Sequence, residues 1–472
     1  MLNSGLLGND TICAIATPHG MGAIATIRIS GPQTFTVVSS LFQQHGHPFD
    51  ATKMVSHKAY HGFIVDGKTM LDEVLVTFFR APHSFTGEDS VEISVHGSVY
   101  IQQKLLQVLI AHGCRMAEAG EFTRRAFVNR KFDLAQAEAI ADLISSESEA
   151  AHRVAINQLK GGFSKELQVL RSKLLEMTSL MELELDFSEE DVEFADRGQL
   201  MALLHETLSH VNQLKDSFRL GNAIKNGIPV AIVGQTNTGK STLLNALLGE
   251  ERAIVSDIAG TTRDTIEETL NIEGLLYRFI DTAGLRETDE TIEKIGIERS
   301  YRKIHEASII IGMLDGTTAY ESMLSSAKEI VSRADLAHQQ LLLCINKVDV
   351  LDDHGEALLN QLRQDMDNDG IGIICLSAKH RLGLNELLDA LRTSQPLSHP
   401  DVTLVTNVRH YEALVCASES LNHVQEGLEL NIPTDLISQD LREALYYLGS
   451  ITGEITTDEV LGTIFSRFCI GK

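Results

Sequence analysis

Residues 228–248 begin with the apolar run Ile228-Pro-Val-Ala-Ile-Val233, continue as Gly234-Gln-Thr-Asn-Thr-Gly-Lys-Ser241 and end in the helix-forming stretch Thr242 to Leu248. The apolar run is short and β-branched, as in a buried strand, and the segment after it fits G-x-x-x-x-G-K-[ST]. Glycines in such a loop let backbone N–H groups surround phosphates at the amino terminus of a helix. The stretch therefore predicts a phosphate-binding loop between a strand and a helix.

Two side chains of this P-loop have separate expected tasks. Lys240 would bring positive charge to the outer phosphates, and the Ser241 hydroxyl can ligate Mg²⁺. Because the pattern also arises by chance, its interpretation depends on the motifs that accompany it.

The next motifs concern the terminal phosphate. Asp281-Thr-Ala-Gly284 follows the strand-like residues Tyr277 to Ile280, so its carboxylate would reach Mg²⁺ through water and the Gly284 amide would face the terminal phosphate. Before it, Ile258-Ala-Gly-Thr-Thr-Arg-Asp264 is a Gly/Thr-rich segment suited to closing a threonine hydroxyl onto Mg²⁺. Thr262 is the candidate switch threonine.

Two later motifs select the base. Asn346-Lys-Val-Asp349 ends the apolar run Leu341 to Ile345, at the edge where doubly wound sheets bind ligands. The two oxygens of Asp349 match the ring N–H and exocyclic amine of guanine, whereas adenine would leave the acceptor unpaired. Ser377-Ala-Lys379 follows the strand-like Gly372 to Leu376, and its amides can donate to the guanine carbonyl. The ordered motifs predict a GTPase.

The residue that positions the attacking water is left open by these motifs. Leu285 stands where Ras-type enzymes carry a glutamine, and its side chain cannot form hydrogen bonds. Four carboxylates just downstream are candidates, and the spacing does not choose among them: Glu287, Asp289, Glu290 and Glu293.

The α/β pattern of residues 228–394 is flanked by helical sequence on both sides. An α+β segment precedes it from Thr11 to His112, then a helical one from Asp133 to Leu220, and helices resume at Asn407. A compact domain can be inserted into a loop of a host without disturbing the host's core. We therefore predict a discontinuous helical domain with an inserted α/β domain, with the divisions 1–132, 133–226, 227–395 and 396–472.

Composition and charge exclude several classes of protein. The 472 residues suffice for about three domains, and 40 Lys and Arg against 65 Asp and Glu leave a net charge of −25. This charge argues against coating nucleic acid by bulk attraction, so RNA contact should be local or shared with a partner. The six cysteines form no C-x-x-C pair. With no signal pattern or long apolar run, we expect a cytoplasmic protein without membrane contact.

Over its full length the chain resembles the MnmE (TrmE) family of tRNA-modifying GTPases. The resemblance extends beyond the GTPase motifs to Arg28-Ile-Ser-Gly31, Ser84-Phe-Thr-Gly-Glu-Asp89, His96-Gly97, Gly120-Glu-Phe-Thr-Arg-Arg-Ala-Phe127 and the terminal Phe468-Cys-Ile-Gly-Lys472. It implies a homodimer with an α+β tetrahydrofolate-binding-like amino-terminal domain, a discontinuous helical domain and an inserted Ras-like P-loop G domain.

The activity that the resemblance implies needs a second protein. With the FAD-dependent MnmG (GidA), in a heterotetramer or larger complex, the family installs aminomethyl or carboxymethylaminomethyl groups on carbon 5 of the wobble uridine of certain tRNAs. GTP hydrolysis drives a conformational change. The implied cofactors are Mg²⁺, K⁺ and a tetrahydrofolate derivative, either 5-formyl- or methylene-tetrahydrofolate.

The resemblance also assigns residues to these cofactors. It implies that Glu293 orients the attacking water, and it leaves Cys469 either as a nucleophile toward the pyrimidine ring or as an inert thiol. The implied folate contacts are Arg28, Glu92, Lys131 and Lys472. The implied K⁺ ligands are Asn237, Ser256, Ile258 and Thr261. The expected GTP contacts are Asn237, Thr238, Gly239, Lys240, Ser241, Thr242, Ser256, Asp257, Ile258, Ala259, Gly260, Thr261, Thr262, Asp281, Thr282, Ala283, Gly284, Asn346, Lys347, Asp349, Ser377, Ala378 and Lys379.

Two positions depart from the family pattern, and two other functions differ from the family's in what they predict. Thr236 stands where the family usually has a proline, and Ser98 follows His96-Gly97 in place of a second glycine. A ribosome-assembly switch of the Era type would usually add a basic RNA-binding module, which this sequence lacks. A structural scaffold with a vestigial G domain would hydrolyse GTP negligibly even with potassium present.

Overall fold

A computed structural model describes residues 10–50, 54–186, 197–250, 268–280, 304–351, 354–366, 370–393, 403–430, 432–466, 468 and 470–471. The chain forms two compact units. One comprises Met1–Ala141, Asn157–Asn212 and Glu412–Lys472, and the other comprises Asp142–Ile156 and Gln213–Tyr411. The second unit takes in helical residues from both sides of the predicted G domain. The four predicted domain limits stay a prediction.

The first unit contains an eight-stranded sheet. Its strands are β1 Thr11–Ile15, β2 Ile24–Ser30, β3 Phe42–Gln44, β4 His47–Pro48, β5 Lys58–Asp66, β6 Thr69–Phe79, β7 Ser90–His96 and β8 Cys114–Met116. They lie in the order β4-β3-β5-β6-β7-β2-β1-β8. Neighbouring strands are antiparallel, except that β1 and β8 are parallel. The helices Thr34–Leu41 and Val99–Ala111 contribute to the same apolar core as alternate residues of the strands.

Helices follow this sheet along the chain and return after the α/β segment, as the sequence predicts. The helix Gly162–Asp186 packs against Thr434–Thr452, and Phe127, Leu134 and Phe465 form a small apolar cluster. The other described helices outside the α/β segment are Glu121–Val128, Leu134–Ser145, Glu149–Leu159, Gly162–Asp186, Arg197–Asn226, Val408–Glu429, Thr434–Thr452 and Asp458–Ser466. Among the described residues no helix is long and apolar enough to cross a membrane.

The second unit contains a six-stranded sheet. Its strands are β9 Ile228–Val233, β10 Glu268–Ile272, β11 Leu275–Phe279, β12 Ile309–Asp315, β13 Gln340–Asn346 and β14 Ile371–Cys375. They lie in the order β10-β11-β9-β12-β13-β14. Five strands are parallel, which confirms the doubly wound pattern, and the edge strand β10 is antiparallel to β11. The described helices that lie between these strands are Lys240–Glu250, Tyr320–Arg333 and His354–Met366, and the helix Leu384–Thr393 follows β14.

Separate apolar cores lie on the two faces of this sheet because alternate strand residues point to opposite faces. Ile232 and Cys344 belong to one core, while Val233 and Ile345 belong to the other. The parallel strands β9, β12, β13 and β14 end at the same edge, and the predicted P-loop and guanine motifs begin there. The fold thus brings these motifs together.

Candidate nucleotide and folate sites

The P-loop connects β9 to the helix Lys240–Glu250 and depends on two glycines. Gly234 has φ +151° and Gly239 has φ +98°. A side chain at Gly234 would collide with the Met313 carbonyl oxygen, and one at Gly239 would collide with the Asn346 amide. These positions therefore need glycine for backbone conformation and for close approach of the next strands.

Lys240 points back over the loop that precedes it. Its ammonium donates to the carbonyl oxygens of Gly234 at 2.8 Å and Gln235 at 2.7 Å. Burial lowers the pKa of Lys240 from its ordinary value. The cation is thus held at the mouth of the loop, where phosphate oxygens would replace the carbonyl oxygens as its partners.

Asn346 ties three motifs together. Its amide nitrogen donates to the Thr238 carbonyl oxygen at 2.7 Å, and its side-chain oxygen accepts the Ala378 amide at 3.0 Å. The side chain is buried at the end of β13. One residue therefore fixes the P-loop, the Asn346–Asp349 segment and the Ser377–Lys379 loop relative to one another.

Asp349 lies in the short 3-10 helix Val348–Val350, directly after β13. A hydrogen bond from the Ser377 side chain is the largest cause that holds the pKa of this carboxyl below its ordinary value. His380 Nε2 lies 3.5 Å from its Oδ2. The carboxylate is thus ionised at neutral pH and can accept hydrogen bonds, which is the property that guanine recognition requires.

Asn237 and Ser241 fit the cations predicted for this site. Asn237 adopts the left-handed conformation with φ +61°, and its exposed side chain makes no hydrogen bond to the described part of the chain. Its amide oxygen is a suitable K⁺ ligand. Ser241 is exposed in the first turn of the helix Lys240–Glu250, where a hydroxyl can ligate Mg²⁺.

Several predicted site residues lie outside the described residues, so their positions remain predictions. They are Ser256, Asp257, Ile258, Ala259, Gly260, Thr261, Thr262, Asp281, Thr282, Ala283, Gly284, Glu293, Cys469 and Lys472.

Arg28 and Glu92, two of the predicted folate contacts, are neighbours in the first unit. They face each other on β2 and β7, and Arg28 donates from Nε at 3.0 Å and Nη2 at 2.8 Å to Glu92 Oε1. The guanidinium carbon lies 5.1 Å from the ring centre of Phe85 and 5.7 Å from that of Phe122. No described residue donates to the other Glu92 oxygen, which can therefore accept pterin N–H groups.

Gly471, near the carboxyl terminus, also lies beside Arg28. Arg28 Nη1 lies 3.5 Å from the Gly471 carbonyl oxygen. Gly471 has φ +96°, and a side chain there would collide with the Ile15 carbonyl oxygen. Lys131 donates from Nζ to the Pro82 carbonyl oxygen at 2.9 Å. Arg28 and Glu92 are thus together beside Gly471, while Lys131 is anchored on the loop that precedes Phe85.

Two family models match successive parts of this chain. Residues 134–469 match the family described as "MnmE helical domain", and residues 11–131 match "GTP-binding protein TrmE N-terminus". The protein of Bacteroides fragilis named "tRNA modification GTPase MnmE" is 52% identical over 475 residues, covering 99% of this chain and 100% of the relative. This chain belongs to the MnmE (TrmE) family. The Flavobacterium johnsoniae member is 51% identical over 474 residues, again covering 99% and 100%.

Solved GTPase structures are less similar to this chain than these relatives are. A variant of Aquifex aeolicus Era bound to GDP and aluminium fluoride is 27% identical and covers 41% of this chain and 66% of that chain, with a TM-score of 0.28. The G domain of the T. maritima FeoB transporter is 25% identical and covers 35% and 98%, with a TM-score of 0.25. Scores this low add nothing to the fold described above.

Sequence reasoning missed two features of these sites. Phe85 lies inside a family block, but the sequence does not indicate that its ring contacts Arg28. Asp315 ends the apolar run of β12 and pairs with Lys347, thirty-two positions later. An acidic residue at the carboxyl end of a buried strand is the signal that could have singled it out.

Proposed function

We propose that this chain is a potassium-activated GTPase that works with the flavin-dependent MnmG to modify carbon 5 of the wobble uridine in tRNA. Its membership of the MnmE family makes it a GTP hydrolase of tRNA modification. The proposal that this chain binds GTP rests on the buried Asn346. Its side chain links the P-loop to both guanine motifs.

Binding of GTP uses the residues at the carboxyl ends of the strands. Lys240 and the P-loop amides would hold the outer phosphates, and Asp349 would pair with the two guanine donors. The Ala378 amide already donates to Asn346 at 3.0 Å. The guanine carbonyl would therefore take its hydrogen bond from the neighbouring Lys379 amide.

Hydrolysis needs charge stabilisation and an oriented water. Mg²⁺ and K⁺ would supply positive charge against the phosphates. Ser241 and Thr262 would hold Mg²⁺, while Asn237, Ser256, Ile258 and Thr261 would hold K⁺. Glu293 would accept a hydrogen bond from the attacking water and so fix its direction.

The first unit would hold the one-carbon donor. Glu92 would accept the pterin N–H groups, Lys131 and Lys472 would neutralise the glutamate carboxylates, and Arg28 would orient Glu92. We infer a methylene- or 5-formyl-tetrahydrofolate as the ligand, with the redox chemistry left to the flavin of the partner. Cys469 is a candidate nucleophile toward the pyrimidine.

The assembly that we propose is a homodimer that joins MnmG in a heterotetramer or larger complex in the cytoplasm. The net charge of −25 makes it unfavourable for this chain to bind tRNA alone. A basic surface of the partner would therefore make most of the contacts to the tRNA phosphates. Separate salt-dependent binding assays test this division. Tight tRNA binding by this chain alone would contradict it.

Nucleoside analysis of tRNA tests the proposed function. A deletion strain should lack the modified wobble uridine, and the wild-type gene should restore it. A gene carrying Asp349→Asn should restore it poorly because the variant binds GTP weakly. Unaltered tRNA in the deletion strain would contradict the proposal and favour an Era-type switch in ribosome assembly.

A further inference from the structure

Strand β12 ends beside the segment that recognises guanine. Asp315, its last residue, is paired in register with Asn346 at the end of β13. The Lys347 ammonium donates to Asp315 Oδ2 at 2.6 Å. The carboxylate therefore holds the side chain that lies between Asn346 and Asp349 in the guanine motif.

Asp315 is itself fixed by the residue two positions later. Its Oδ1 accepts the Thr317 backbone amide at 3.0 Å and the Thr317 hydroxyl at 2.6 Å. Burial alone would raise the pKa of Asp315, but the hydrogen bonds from Lys347 and Thr317 hold it below its ordinary value. Both carboxylate oxygens are thus engaged, and the ionised form is favoured.

The backbone of the same loop is also bound to the guanine motif. The Gly316 amide donates to the Asn346 carbonyl oxygen at 3.0 Å, and a side chain at Gly316 would lie 2.9 Å from that oxygen. Lys347 adopts the left-handed conformation with φ +68°, directly before the 3-10 helix that contains Asp349. The Asp315–Thr317 loop therefore supports Lys347 through its main chain and its side chain.

We propose that Asp315 is a positioning residue for guanine nucleotide binding and acts through Lys347. A free lysine side chain has several rotatable bonds, and ordering it when a ligand binds opposes binding. Because Asp315 holds the ammonium in the free protein, the methylene stem of Lys347 is ordered before the base arrives. The inference rests on GTP being the ligand of this site.

An ordinary surface ion pair would not have this effect. The Asp315 side chain is 16% exposed and accepts three hydrogen bonds, whereas Glu329 and Arg333 on the helix Tyr320–Arg333 are each 44% exposed and make an ion pair of 3.1 Å. Exposed pairs of this kind contribute little because water screens them. Glu329 is therefore a matched control for the loss of one carboxylate.

The test compares variants of the full chain by titration with fluorescent GDP and by steady-state GTP hydrolysis. Asp315→Ala should weaken GDP binding about tenfold and raise KM with kcat nearly unchanged, because base binding and not the chemical step is affected. The isosteric Asp315→Asn should show a smaller loss of GDP affinity. It also provides a second test of the inference if the alanine variant does not fold. Glu329→Ala should bind GDP like the wild type.

Lys347→Met separates positioning from a general structural effect. Methionine keeps an apolar stem and removes the ammonium, so Asp315→Ala should add little further loss of GDP affinity in the Lys347→Met background. An equal loss in both backgrounds, or GDP affinity in Asp315→Ala and Asp315→Asn that matches the wild type, would overturn the inference. Wild-type protein that does not bind GDP would instead contradict the proposed function.

Discussion

We propose Asp349 as the side chain that selects guanine over other bases. Replacement by asparagine exchanges one acceptor oxygen for an N–H donor, which can no longer accept from guanine but can donate to the second carbonyl of xanthine. Asp349→Asn should therefore weaken GDP binding about 10- to 100-fold and improve binding of xanthosine diphosphate. Competition titrations with both nucleotides measure this. An unchanged preference for guanine would show that another group reads the base.

Glu293 is proposed to act on water and not on GTP. Its replacement by alanine should leave GDP affinity near that of the wild type while hydrolysis falls about 100-fold or more, because the general base or orienting group is lost. The measurement is single-turnover phosphate release together with nucleotide titration. Glu290→Ala is a neighbouring control that should keep most activity. Rapid hydrolysis by the Glu293 variant would move the assignment to another carboxylate.

At the scale of the elements, Gly471 lies close to the end of strand β1. The Gly471 carbonyl oxygen lies 3.5 Å from Arg28 Nη1, and an added Cβ at Gly471 would collide with the carbonyl oxygen of Ile15, the last residue of β1. Gly471→Ala should weaken binding of 5-formyl-tetrahydrofolate at least tenfold by displacing the terminal residues, while GTP hydrolysis is kept. Isothermal titration tests this, with Gly67→Ala as a control because no atom lies within 4 Å of the Cβ position there.

A second element-level prediction concerns the charged network under the helix Glu121–Val128. Glu121 accepts from Arg115 at 2.7 Å and Arg125 at 3.0 Å, and Asp10 accepts from Arg115 at 2.6 Å and Arg125 at 2.7 Å. Hydrogen bonding to Arg115 is the main cause that lowers the pKa of Asp10. For Glu121, burial raises the pKa, but the arginine and backbone hydrogen bonds lower it overall.

The sign of the pH dependence follows from these lowered pKa values. The network stabilises the fold fully above the ordinary values of 3.8 and 4.5, and its contribution is lost as pH falls through the lower folded-state values. Glu121→Gln should lower the free energy of unfolding by about 3 kcal/mol at pH 7, because it removes a buried carboxylate that balances the charge of Arg125 and leaves Asp10 and Glu88 as the remaining carboxylates beside it. The difference from the wild type should shrink below pH 4. Urea titrations at both pH values test this, and a constant difference would contradict it.

For the chain as a whole, the buried parallel strands were predictable from sequence. Strand β9 has the predicted limits, and β13 and β14 differ from the predicted runs by one residue at each end, because these strands carry continuous apolar runs. The edge strand β10 was not predicted, because only Leu270 and Ile272 of its five residues Glu268–Ile272 are apolar. The order of the GTPase motifs also predicted that they meet at one edge.

Contacts between distant parts of the chain could not be predicted from the sequence. Arg28 and Gly471 are 443 positions apart, and Asp315 and Lys347 are 32 apart. No local periodicity encodes such a meeting, because it depends on how separate strands and loops are brought together. The residues Asp142–Ile156 belong to the same compact unit as the α/β sheet, although their sequence indicates only a helix.

Potassium dependence tests the central mechanism most directly. Phosphate release from GTP should be at least tenfold faster in KCl than in NaCl at equal ionic strength, because the exposed amide oxygen of Asn237 would help hold K⁺ beside the phosphates. Asn237→Ala should remove this difference while GDP still binds. Equal slow rates for the wild type in both salts would contradict the mechanism.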